Sequence, residues 1–176
     1  QGGPRLRAYA VEGVHNATTK ALELLGLGSS ALRTVALAPA GAGMDTDALA
    51  KAVAEDRAAG LKPFCVVGTA GSVDRGDFDD LDAIADFCES EQLWFHVDGA
   101  FGAWARLARS PWRELARGLE RADSLAFDFH KWMFVQYDCG AVLIRDENAG
   151  GAAVAARPVY LAGQSEGLGG GEPWYC

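Results

Sequence analysis

The stretch that decides the fold is Pro63–Ala100, PFCVVGTAGSVDRGDFDDLDAIADFCESEQLWFHVDGA. Its opening, Pro63–Gly68, is a short apolar run that reads as a buried strand. From about Asp79 to Glu91 the period changes. Leu81, Ile84, Ala85 and Cys88 fall on one helical stripe, and acidic residues crowd the first turn, where the helix N-terminus favours negative charge. Leu93–Val97 (LWFHV) returns to strand. Strand, helix and strand at this spacing form the crossover unit of a parallel sheet.

The same alternation extends outward. Arg33–Ala38 (RTVALA) reads as a strand and Asp45–Ala59 as a helix, with Leu49 and Val53 four apart and Asp45 or Thr46 able to cap it. An earlier helix spans Val14–Leu25, repeating Val14, Ala17, Ala21, Leu24 and Leu25. Ser124–Asp128 (SLAFD) is a further strand. Only ten residues separate it from Cys139–Arg145 (CGAVLIR), too few for a helical crossover, which predicts an antiparallel strand. The expected fold is α/β: a mixed, mainly parallel sheet with helices on both faces. No internal repeat is present. The glycine-rich Gly163–Gly171 reads as a flexible loop, because it lacks the G-K-[ST] ending and flanking strand of a phosphate cradle.

The 176 residues, 49% of them hydrophobic, suffice for one domain with a real core. A net charge of -8 argues against nucleic acid or an anionic membrane as partner. Cys65, Cys88, Cys139 and Cys176 show neither C-x-x-C nor zinc spacing, so no metal site is expected and buried free thiols are. Free thiols suit a reducing compartment. No apolar run reaches membrane-span length, and the opening QGGPRLRAYA has no signal-peptide core. The expectation is a soluble cytoplasmic protein.

Open α/β sheets bind ligands at the carboxyl ends of their strands. Three such ends carry chemistry: Thr69-Ala70-Gly71-Ser72, then Asp98-Gly99-Ala100, then His130-Lys131. Of the four lysines, Lys20, Lys51 and Lys62 fall on helical faces or loops, whereas Lys131 lies among Phe127, Phe129, Trp132, Met133 and Phe134. Apolar surroundings disfavour an ammonium and free the amine as a nucleophile. Taken singly, each residue has an ordinary explanation: a lysine snorkelling to water, Asp98 in a turn, Thr69 and Ser72 as turn formers, His15 and His130 as hydrogen-bonding groups. His96, on a strand face with Trp94 and Asp98, reads as structural. Together they match the needs of a pyridoxal cofactor: an amine, an acid for the pyridine nitrogen, donors for the phosphate and small or flat groups against the ring.

Four stretches carry a family resemblance: YAVEGVHNATTKALELLGLG from Tyr9, VVGTAGSVDRGDFDDLDAIADFC from Val66, LWFHVDGAFGAW from Leu93, and ADSLAFDFHKWMFVQYDCGAVLIRD from Ala122. In that order they resemble the pyridoxal-phosphate-dependent amino-acid decarboxylases, and look most similar to those acting on aromatic substrates. The resemblance implies the large domain of the aspartate-aminotransferase type. It implies that Lys131 holds pyridoxal phosphate as a Schiff base and that Asp98 pairs with its pyridine nitrogen. His15 and Ala100 would lie against opposite ring faces, and His130 would contact the phosphate. Thr69 and Ser72 would supply hydroxyls, Ser72 standing where the family usually has threonine.

The implied reaction releases carbon dioxide from an L-amino acid to give the amine, in a homodimer. Residues 1–150 would form a partial cofactor-binding core and 151–176 a loop leading to a C-terminal segment. The glycine-rich segment before the first helix and the small domain with its mobile tyrosine loop are absent from these residues, so the chain reads as part of a longer protein. Alternatives are transamination, aldehyde synthesis or carbon–carbon lysis on the same fold, or a non-catalytic remnant. A dinucleotide-binding domain is disfavoured because no G-x-G-x-x-G follows a strand.

Overall fold

The computed structural model describes residues 3–39 and 43–154. Six strands form one sheet: β1 (Leu6–Val11), β2 (Leu32–Val35), β3 (Lys62–Thr69), β4 (Trp94–Asp98), β5 (Ser124–Asp128) and β6 (Gly140–Ile144). Their spatial order is β2-β1-β3-β4-β5-β6. All pairings from β2 through β5 are parallel, and the sheet as a whole is mixed and mostly parallel.

Three helices cover the sheet: α1 (Asn16–Leu24), α2 (Thr46–Ala58) and α3 (Leu81–Glu91). Asp45 caps α2 by accepting the Asp47 and Ala48 N–H groups at 2.9 and 3.0 Å, and Asp80 caps α3 through the Ala83 N–H at 3.1 Å. Gln92 ends α3 in the left-handed region at φ 55°. On one sheet face Val66, Phe95 and Val97 pack with Leu49 and Val53 of α2 and with Leu81, Ile84 and Cys88 of α3. Burying such side chains stabilises the fold by about 1.5–3 kcal/mol each. On the other face Leu22 of α1 packs on Ala8, with Phe64 and Cys65 alongside. A register shift at Arg7/Ala8 brings both Phe64 and Cys65 against this cluster.

The sequence reading missed β1. Leu6-Arg-Ala-Tyr-Ala-Val11 has two alanines and an arginine in place of β-branched residues, so its intrinsic strand signal is weak. Tertiary context supplies what propensity lacks: β1 is central, and Ala8 to Val11 are all buried. Tyr9 donates its hydroxyl to buried Asp56 at 2.9 Å, and Arg33 and Arg7 neutralise that carboxylate at 2.9 and 3.3 Å. Burial, then the Asp56 hydrogen bond, push the Tyr9 pKa up.

The cysteines described are free, but only Cys88 is fully buried, whereas Cys65 and Cys139 are half-buried. Burial pushes the Cys65 and Cys88 thiols up to about 12. A second compact unit begins at Ile144, and helix α4 (Glu147–Val154) carries regular structure past residue 150, where a loop was expected. The Gly163–Gly171 loop and Cys176 lie outside the described residues. Among the described residues no helix is long and apolar enough to cross a membrane.

Candidate active site

Parallel register aligns the strand ends. Val67, His96 and Ser124 form one lateral row across β3, β4 and β5, and Thr69, Asp98 and Ala126 form the next. Strand alternation puts both rows on one sheet face. There Val67, His96, Thr69, Asp98 and Ala126 line a cavity of about 1000 Å³. All seven residues singled out from the sequence line it: His15, Thr69, Ser72, Asp98, Ala100, His130 and Lys131.

Each is held by its own local structure. His15 is the N-cap of α1, its Nδ1 accepting the Ala17 N–H at 3.3 Å. Asp98 ends β4, and its Oδ1 accepts the Ala100 N–H at 3.1 Å, which braces the turn into Ala100. Ser72 Oγ accepts the Asp77 N–H at 3.0 Å and closes the loop after β3. Asp79 fastens that loop from behind, accepting the Thr69 N–H at 2.6 Å and the Met44 N–H at 2.7 Å. Burial pushes the Asp79 carboxyl up to about 6, against those two hydrogen bonds. His130 Nδ1 lies 2.9 Å from the Cys139 nitrogen and 3.0 Å from its oxygen, and the Tyr137 ring packs edge-on at 4.4 Å.

The setting of Lys131 corrects the sequence expectation. Its Nζ lies 2.8 Å from Asp128 Oδ2 and 4.5 Å above the Phe101 ring. The aromatics beside it in sequence do not cage it: Phe134 is 93% exposed, Trp132 and Met133 are exposed, and Phe129 packs on Trp104 together with Phe127, which lines the cavity wall. A turn follows β5, so consecutive side chains point in different directions, and a carboxylate with one aromatic face replaces the expected apolar cage. Asp128 and Phe101 are the contributors the sequence reading missed; the i,i+3 spacing of Asp128 and Lys131 was the available signal.

The cavity suits a pyridoxal group. Thr69 Oγ1, in the same row as Asp98, is buried without a hydrogen-bond partner, which a bound polar group could supply. Gly102 packs so tightly that a Cβ would meet the Ala70 oxygen at 2.5 Å, which holds the turn after cavity-lining Phe101 close to the strand end. A primary amine, a carboxylate and this hydroxyl therefore share one cavity.

Comparison with known proteins gives the class. The chain belongs to the pyridoxal-dependent decarboxylase family, whose conserved domain matches residues 3–171. It is 42% identical over 118 residues to an aromatic-L-amino-acid decarboxylase of Bacillus atrophaeus, covering 67% of this chain and 24% of that protein. It is 39% identical over 143 residues to the cysteine sulfinic acid decarboxylase of Mus musculus, covering 81% and 29%. The crystal structure of mouse CSAD in apo form superimposes with a TM-score of 0.83 at 36% identity, covering 88% of this chain and 32% of that one. The chain spans less than two thirds of the curated relatives compared, between 23% and 33% of their length.

Proposed function

We propose that the protein decarboxylates an L-amino acid, with pyridoxal phosphate bound through Lys131, and that its preferred substrate is aromatic. The observation that carries this reading is the shared cavity of Lys131 and Asp98, with the partnerless Thr69 hydroxyl beside them.

When bound, the cofactor supplies an electron sink for the pair left behind as carbon dioxide departs. Lys131 would contribute the amine that holds it. Asp98 keeps a proton on the pyridine nitrogen, and the Ala100 N–H orients its carboxylate. His15 and Ala100 flank the ring, while Thr69 and Ser72 offer hydroxyls and His130 serves the phosphate. Asp128 would receive the Lys131 ammonium whenever the lysine is not tied to the cofactor. Residues 1–150 act as the cofactor-binding core, and 151–176 lead to further substrate contacts.

Support for an aromatic substrate comes from the Bacillus relative and from Phe64, Phe101, Phe127 and Tyr137 in the cavity lining. The reading extends to a homodimer, supported by the exposed Trp112, Trp132 and Phe134, and to the cytoplasm, supported by the free thiols. The test is carbon dioxide release by the intact protein supplied with pyridoxal phosphate and a panel of amino acids. Release from tryptophan, tyrosine or dihydroxyphenylalanine is expected. Release only from glutamate or cysteine sulfinate keeps the reaction and overturns the substrate, and release from none overturns the reaction.

A further inference from the structure

His96 lines the same cavity from the middle of β4, two residues before Asp98 and on the same sheet face. Its cross-strand neighbour is Ser124. Ser124 Oγ accepts the Trp94 indole N–H at 2.8 Å and lies 2.8 Å from His96 Nδ1. An indole nitrogen only donates, so the serine oxygen keeps its own proton for a second partner. Nδ1 is within reach of that proton. Burial lowers the His96 pKa, with Asp98 and a hydrogen bond to the Ser124 backbone opposing. A neutral imidazole carries one acceptor nitrogen and one N–H. In the tautomer whose Nδ1 accepts from Ser124, the ring proton is on Nε2. The titratable groups that share the cavity with the ring include Cys65 on β3, Asp98 on its own strand, Asp128 at the end of β5, Lys131 after it and His15 at the start of α1.

We propose that His96 is a positioning residue for Asp98. A Trp94–Ser124–His96 relay fixes the ring tautomer, so that Nε2–H donates toward the Asp98 carboxylate, directly or through one water, and holds it facing the ring nitrogen of the cofactor. The Ala100 N–H on Oδ1 is the second fixed donor to that carboxylate. The proposal rests on the reading of Asp98 as the partner of the pyridine nitrogen.

The test uses the intact protein loaded with pyridoxal phosphate carrying nitrogen-15 in its ring, whose chemical shift separates a protonated from an unprotonated pyridine. Wild type should show the protonated ring. His96→Phe keeps a flat side chain without an N–H. Its ring-nitrogen resonance should move toward the unprotonated position, and kcat should fall roughly tenfold or more with KM within about twofold of wild type. His96→Gln, whose amide N–H can stand in for Nε2–H, should recover most of the shift. Ser124→Ala should displace the resonance and Ser124→Thr should restore it.

A His96→Phe resonance unchanged from wild type overturns the proposal, as does identical behaviour of the Phe and Gln variants. Should His96→Phe fail to fold, the Ser124 pair decides: equal resonances in Ser124→Ala and Ser124→Thr overturn it. Failure of the underlying functional reading is distinguishable, because it shows in wild type as an unprotonated ring or no bound cofactor.

Discussion

Thr69 and Asp98 are register partners across the parallel β3–β4 pair, tied by the Ala70 N–H donating to the Asp98 carbonyl at 2.8 Å. The pairing sets a buried, partnerless hydroxyl beside a carboxylate at the carboxyl edge of the sheet. Lys131 reaches the same cavity from beyond β5. Sheet register thus sets the spacing between the acid and the hydroxyl, and the turn after β5 sets the amine.

Asp79 holds this edge in place. Asp79→Ala leaves the Thr69 and Met44 N–H groups without their acceptor and should cost roughly 2–5 kcal/mol of stability. Denaturant unfolding of the intact protein checks this.

The same residue predicts a pH dependence. Its carboxyl is pushed up to about 6 by burial, above the unfolded value of about 3.9. Folding therefore favours the protonated form. The contribution is fully present below about pH 4 and is lost as pH rises through about 6. The stability of wild type relative to Asp79→Asn should fall across that window and level off above it. A relative stability that rises there contradicts the assignment.

The turn that follows the cavity-lining Phe101 should be strained by Gly102→Ala. Its Cβ would meet the Ala70 oxygen at 2.5 Å and Phe78 Cζ at 2.6 Å, so backbone at the end of β3 must move. The expected cost is about 1–3 kcal/mol, with weaker capture of pyridoxal phosphate by titration.

Tyr9→Phe offers a control on the opposite sheet face. It removes the buried hydroxyl donating to Asp56 at 2.9 Å and should cost about 1.5–3 kcal/mol. Cofactor capture should be unchanged after allowance for the lower stability. Loss of capture out of proportion would couple the Asp56 cluster to the site.

Asp98→Asn should retain some cofactor and lose most turnover, since the amide cannot hold a proton on the pyridine nitrogen. Steady-state rates alongside the absorbance of bound cofactor separate the two effects. Unchanged turnover removes Asp98 from that role.

Much of this architecture was readable from periodicity. Leu81, Ile84, Ala85 and Cys88 make the buried stripe of α3, and Asp45 caps α2 as its position suggests. β1 was not readable, because Ala8 and Ala10 owe their strand conformation to neighbours on both sides. The strand ends flagged Asp98, Thr69 and Lys131, since ligand sites collect there. What a linear reading could not supply was direction. Apolar neighbours in sequence suggested a greasy pocket for Lys131, but the turn sends Phe134 outward and brings Asp128 to the amine. Asp79 looked like one more helix-start acid, and only the fold shows it bridging to Met44, 35 residues away.

The central claim is that Lys131 anchors the cofactor. The direct measurement is borohydride reduction of the intact protein with pyridoxal phosphate, followed by peptide mass spectrometry. A pyridoxyl group on the Lys131 peptide, with the lysine-linked cofactor absorbance abolished in Lys131→Ala, is the predicted result. Labelling at Lys20, Lys51 or Lys62 in its place, or absorbance that survives Lys131→Ala, would contradict it.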